Sequence, residues 1–301
     1  MATKEKTKVI FGWIAIAISV FFSSFWAFWG IVENFHEGWY FRSIWSNILL
    51  MFGQYLLVPI IFVIISLVTL RWQKIGGILH IILGIFFGYF FSGLNAAILF
   101  ILIPFLGLGV IYYFSILPNK KIASAILIGI PLIIILGFGA FHGIRVANRF
   151  NDDNLNARII KGNGVELMWA PAGPGWPEDG MPWEKAKSIC AHLNEDGKTL
   201  SDSVKNIWRL PTVDEAVKSM VYHGNNAGGV FNTKTKTADY KNDPDKESPL
   251  WNMYSKVVYW WTSDEASDKL AYIVVYNGGV WPRTKTLNVG YLAFRAVKEI
   301  K

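Results

Sequence analysis

The stretch "FWGIVENFHEGWYF" (28–41) carries Glu33, His36 and Glu37 at i, i+3, i+4 spacing. On a helix that spacing stacks all three on one face. Two carboxylates and an imidazole so placed could ligate zinc, manganese or iron, or pass protons, because ionisable groups at membrane depth are often functional. His142, in "FHGIR", lies near the end of a later apolar segment and should sit at a similar depth. A plainer reading competes: Trp26, Trp29, Trp39 and Tyr40 form an interfacial aromatic belt, and the acids are simply solvated. Nothing else in the chain calls for a metal, so no cofactor is expected.

The elements that must hold these residues are apolar. A bilayer core of about 30 Å needs about 20 residues of helix, with every backbone group satisfied internally. Five segments meet that need, at 9–32, 44–70, 75–91, 94–117 and 122–144. The third is short and the turn "SGLN" follows it, so the third and fourth should form a helical hairpin. The first is longer than the apolar core of a signal peptide and lacks a small-x-small site, so it is read as an uncleaved span. His80, Asn47 and Gln54 are read as helix-packing polar groups. Lys4, Lys6, Lys8, Arg71, Lys74, Lys120 and Lys121 fall on one side of the five spans, against Arg42 on the other. That bias puts the N-terminus in the cytoplasm and the C-terminal half outside.

Charge divides the chain near residue 150. Ten Lys/Arg face three Asp/Glu before it, and nineteen face nineteen after it. The formal +7 belongs entirely to the apolar half, so it is no sign of nucleic-acid binding. No P-loop or dinucleotide fingerprint occurs. The single cysteine, Cys190, can make neither an intrachain disulfide nor a Cys-rich zinc site.

The second half reads as a linker at 148–158 and a mixed α+β domain at 159–301, after a membrane domain at 1–147. "VELMWAP" should be a strand. "MPWEKAKSICAHLNEDG" has Trp183, Ala186, Ile189, Cys190 and Leu193 at helical spacing, which makes Cys190 a core residue. In "NIWRLPTVDEA", Pro211 fixes the chain's approach, and Thr212 with Glu215 forms a capping box. "VVYWWTS", "LAYIVVYNGGVW" with its Asn277-Gly278 turn, and "LAFRAVKEI" supply strands. The segment 223–255 is a long loop of the kind that carries function. Its Tyr240, Trp251 and Tyr254, with Trp281 and Arg283, would suit a glycan or peptide ligand through stacking and amide hydrogen bonds.

Trp183 to Ala186, "WRLPTVDEA", "YWWTS", the "NGG" hairpin and the closing "FRAV" together resemble the Lcl C-terminal domain family. This family belongs to the formylglycine-generating-enzyme (sulfatase-modifying factor) superfamily. The resemblance covers roughly residues 160–299 and implies a C-type-lectin-like fold. Arg209 and Arg295 match motif arginines of the superfamily; pairing with carboxylates such as Glu215 is the role expected of both. Family members often carry a second cysteine in the terminal strand, where this chain has Ala296. The formylglycine-generating enzymes bind copper through a cysteine pair, which one cysteine cannot provide, so that activity is not expected here. The overall expectation is a five-helix membrane bundle displaying a lectin-like binding or sensing module outside the cell. The rival is a membrane half that acts as an enzyme or ion carrier through Glu33, His36, Glu37 and His142.

Overall fold

The structure, a computed structural model, describes residues 2–91, 98–117 and 119–300. It divides into two compact units. The first takes in the chain up to Gly38 and Ser43–Ile144; the second takes in Trp39–Arg42 and everything from Arg145 onward.

The first unit is helical. Helix α1 (Ala2–Glu33) runs into a π-helical turn, Asn34–Gly38. Helix α2 (Ile44–Leu50) continues through a second π turn (Met51–Tyr55) and meets α3 (Leu57–Arg71) at 63°. Pro59 supplies the physical reason for the break, since it has no N–H to donate to the Tyr55 carbonyl. Gly30 of α1 comes up against that same carbonyl, where any side chain would collide. Next come α4 (Gln73–Phe90), a π turn at Ile98–Leu102 leading into α5 (Ile103–Phe114), and α6 (Lys120–Ala147).

Three of these elements are long and apolar enough to cross a membrane: Thr3–Gly38, Gln73–Phe90 and Lys120–Ala147. The bent α2–α3 pair would make a fourth if it crosses as one, and the apolar helix 98–114 is shorter. The "SGLN" turn and the start of the fourth expected span lie outside the described residues. Packing inside the unit depends on small residues and aromatics. A Cβ on Gly77 would lie 2.9 Å from the Gly109 carbonyl, so α4 and α5 touch backbone to backbone. Phe62 and Phe105 stack at 4.1 Å in the core. His80, fully buried, is held by the Gly76 carbonyl at 2.8 Å, as expected of a packing residue.

The second unit is sheet-rich. Strands β1 (Arg158–Gly162) and β2 (Val165–Trp169) form a hairpin, and β2 also pairs with the last strand, β11 (Val297–Glu299). Two helices follow β2: α7 (Trp183–His192) buries Trp183, Ala186 and Cys190, and α8 (Val213–Ser219) is started by the capping box. Small hairpins β3–β4 (Val221–Tyr222, Asn225–Asn226) and β5–β6 (Val230–Asn232, Thr237–Asp239) come next. A four-stranded sheet then joins β7 (Tyr259–Ser267), β8 (Leu270–Val275), β9 (Val280–Thr284) and β10 (Leu292–Ala293), in the order β10-β7-β8-β9.

The closing stretch is therefore two short strands and not one. β10 runs parallel to β7, and after Phe294–Ala296 the chain changes sheets to pair with β2. The core between the layers is built on tryptophan, with Trp251 stacked on Trp260 at 3.6 Å and Trp169 beside it at 5.1 Å.

Candidate functional site

In the first unit, the π turn at the end of α1 sets the geometry of the acidic cluster. It turns Asn34, Phe35 and Gly38 inward, where Gly38 leaves room for the Tyr55 ring. Glu33, His36 and Glu37 are half-buried. One ligand atom from each lies within 4.8 Å of the other two. A tetrahedral metal with ligand bonds of about 2.0–2.2 Å holds its donors about 3.3–3.6 Å apart, so the side chains would have to close by about 1 Å to bind one. The His142 ring stacks on Phe35 at 5.9 Å and lines an apolar cleft with Phe28, Val32 and Phe141. The structure thus brings three of the four expected residues within 4.8 Å of one another. A π turn leaves no composition signal, so the inward rotation of Asn34 was not legible in the sequence.

In the second unit the motif residues build a joint. Arg209 makes a two-pronged bond to Glu215, Nη1 to Oε2 and Nη2 to Oε1, both at 2.7 Å. Glu215 Oε2 also accepts the Thr212 N–H at 2.8 Å, and the Glu215 N–H donates to Thr212 Oγ1 at 3.1 Å. Burial alone would raise the Glu215 carboxyl; the hydrogen bonds from Arg209 and Thr212 and the Arg209 charge together outweigh it and hold the group below the usual carboxylate range. Pro211 offers its carbonyl to Ser263, and Arg209 exchanges backbone bonds with Val297. These contacts tie α8 to β7 and β11, so the motif is structural.

Arg295 departs from expectation. Among the described residues no carboxylate pairs with it; Nε donates to the Ala170 carbonyl at 2.8 Å, Nη1 donates to the Pro249 and Leu250 carbonyls, and the guanidinium lies 4.0 Å over the Trp176 ring. Backbone carbonyls converge on it at the sheet change. Burial lowers its pKa to about 9.

The expected ligand residues separate into three places. Trp251 is only 1% exposed and belongs to the core stack, because segment 223–255 folds inward across its second half. Tyr254 lies under the Arg42 guanidinium at 4.4 Å, and Arg42 also pairs with Asp153 at 2.8 Å. Tyr240 and Trp281 do meet at one feature, the β8–β9 turn. The Tyr240 hydroxyl donates to the Gly278 carbonyl at 3.0 Å, and its ring covers that glycine, whose φ of +84° suits the tight turn. The Trp281 indole rests over Gly279, with Asn277 exposed beside it. Trp281 is 54% exposed. Arg283 follows on the same strand and donates to the Pro282 carbonyl.

A cluster that sequence reading missed surrounds "DPDKE". Asp245 accepts from Arg145 Nε at 2.8 Å and pairs with Arg149 Nη2 at 2.9 Å, with both Asp245 and Arg149 buried. Burial would raise the Asp245 carboxyl, but the charges of Arg149 and Arg145 override it and keep it below its ordinary value. Lys246 is buried alongside, donating to the Ser255 carbonyl, and burial with the Arg149 charge pulls its ammonium well down. Glu247 accepts the His223 N–H at 2.5 Å and faces its Nδ1 at 3.3 Å. Three consecutive charged residues in a loop gave no hint of burial. The partners of Asp245, Arg145 and Arg149, lie about a hundred residues away in the chain.

Residues 3–125 match the model of a family described as a domain of unknown function, DUF7670. The matched stretch lies in the helical part and includes Glu33, His36 and Glu37; the family's description assigns no activity. No curated protein matches the chain.

Proposed function

We propose that the chain is a membrane-anchored binding protein whose sheet-rich unit is a lectin-like module presenting Trp281 and Asn277 to a glycan outside the cell. The observation that carries this reading is the exposed Trp281 indole, held on a hairpin tip braced by Tyr240. A flat aromatic face beside an amide suits the apolar face and hydroxyls of a sugar ring. The lectin-like fold is supported by β2, in the opening hairpin of the unit, pairing with the last strand β11, with α7 and α8 between them in sequence. The test is a glycan and peptidoglycan-fragment screen with the full chain in detergent. Binding should fall at least about tenfold in Trp281→Ala and Asn277→Ala; equal binding by both variants would remove the site.

The same reading places five crossings in the bilayer, with the N-terminus inside. Its support is the membership of residues 39–42 in the second unit, where Arg42 reaches Asp153 and Tyr254. If Trp39–Arg42 and the chain beyond Arg145 share one side, the stretch 43–144 crosses an even number of times. The bent α2–α3 pair, α4, the helix 98–114 and α6 make four, and α1 makes the fifth. Protease added to intact cells should remove the second unit, whereas full protection would reverse the sidedness.

A second reading rests on the Glu33, His36 and Glu37 group. Three protein ligands with a position left open would suit a zinc, manganese or iron centre. Metal analysis of the purified chain beside His36→Ala decides it: about one ion per chain, lost in the variant, supports a metal centre, and trace metal in both leaves an interfacial cap.

A further inference from the structure

At the other end of the first unit, α1, α4 and α5 enclose a cleft of about 660 Å³. Lys8 of α1 and Lys74 of α4 stand on its walls. Among the described residues neither lysine is in an ion pair, and no acid lines the cleft. The floor and sides are of a different character. Trp72, Ile75 and Phe114 are exposed apolar surfaces there. Gln73 fastens the far wall by donating to the Tyr112 carbonyl at 2.7 Å and to the Ser115 carbonyl. The Ile116 N–H donates to the Lys8 carbonyl at 3.0 Å, which ties the start of α1 to the chain after α5. A third cation, Arg71, lies 6.0 Å over the Trp72 ring. The cleft therefore offers cationic ammonium groups directly beside exposed aromatic and aliphatic surface.

We propose that this cleft binds the headgroup of an anionic phospholipid, with the phosphate between Lys8 and Lys74 and the upper acyl chain against Ile75 and Phe114. Basic pockets between membrane helices attract anionic headgroups, whose charge is otherwise only screened by salt. Setting the sidedness of the spans needs basic residues in the loops, but it does not need two lysines on the walls of one cleft next to apolar side chains. A zwitterionic headgroup gains less, because its own cation opposes the lysines.

The inference rests on the membrane reading of the first unit, and the experiment separates the two. The full chain is first reconstituted into phosphatidylcholine nanodiscs; failure to enter the bilayer counts against the membrane reading itself. The inserted protein, transferred to detergent, is then titrated with short-chain phosphatidylglycerol or phosphatidylcholine, and occupancy is read by native mass spectrometry. Phosphatidylglycerol should bind about tenfold or more tightly than phosphatidylcholine. Lys8→Gln/Lys74→Gln should remove that preference, and Lys120→Gln/Lys121→Gln, which leaves the cleft intact, should keep it. Equal losses in the two double variants would reduce the effect to diffuse surface charge and overturn the site. Displacement of the lipid by millimolar inorganic phosphate would also overturn it, by assigning the cleft to a soluble anion.

Discussion

In the helical unit large apolar side chains face outward: Trp45 is 76% exposed and Tyr89 83%. Some of its buried polar groups turn back on their own helix, as Thr69 does to the Ile65 carbonyl, and Ser19 meets the Tyr112 hydroxyl across two helices at 2.9 Å. In the sheet-rich unit most tryptophans go inward, Trp281 being the exposed exception, and Asp245, Lys246, Glu247 and Arg295 go with them. The same residue types thus take opposite positions in the two units. In water, burying apolar area is the main gain, and charges follow only where partners wait for them. Helices apolar enough to cross a membrane would have no such gain against hydrocarbon, and here α4 and α5 are fitted closely at glycines.

This contrast can be broken most directly at Asp245. Asp245→Asn would leave Arg149 buried without its carboxylate and should cost the sheet-rich unit about 3–5 kcal/mol. Urea unfolding followed by tryptophan fluorescence of the full chain measures it; a loss under about 1 kcal/mol would mean the cluster is solvated. The pH dependence has a definite sign. Because the Asp245 carboxyl is held below its ordinary value, its contribution is present above the unfolded value of about 4 and drains away as pH falls through the folded value. The variant should flatten that acid limb.

Trp251→Ala tests the same contrast through packing. Removing a ring stacked in the core should cost about 3–5 kcal/mol, while Trp281→Ala should change stability by no more than about 0.5 kcal/mol. Similar values for the two would place Trp251 at the surface.

A smaller effect is expected in the helical unit. Gly109→Leu forces α5 away from the Gly77 carbonyl and should cost about 1–3 kcal/mol by overpacking. Gly137→Leu, where nothing lies within 4 Å of the added carbon, should be nearly silent. Thermal melts in detergent compare them, and equal melting temperatures would show that α4 and α5 do not touch as described.

Cys190→Ala should cost about 1–3 kcal/mol through lost packing. Burial raises the thiol's pKa, so labelling of the folded chain should be slow; rapid labelling would put the sulfur on the surface.

What the sequence made legible was local. The capping box of Thr212 and Glu215 spans four residues, the Asn277-Gly278 turn spans two, and Cys190 follows the helical period of α7; each was readable because its cause lies within a few positions. The Glu33, His36 and Glu37 group was readable for the same reason, since one turn of helix brings it together. What escaped was set by distant neighbours. Trp251 reads as a loop aromatic until Trp260 is placed beneath it, and Arg295 reads as an ion-pair arginine until the carbonyls of Ala170 and Leu250 converge on it. The break before α3 has a visible agent in Pro59, yet prolines inside apolar segments are common enough that its presence alone did not mark a 63° bend.

The bridge from Asp245 to Arg145 and Arg149 has a bearing on how this chain can be taken apart. Composition changes near residue 150, and a knife guided by composition would fall between the last apolar helix and β1. Such a cut discards both arginines and strands the buried carboxylate in the piece that is kept. The excisable part begins at Arg145, inside the final turn of α6. Any graft of the sheet-rich unit onto another anchor must carry that turn with it, along with its spacing of four residues between the two guanidinium groups.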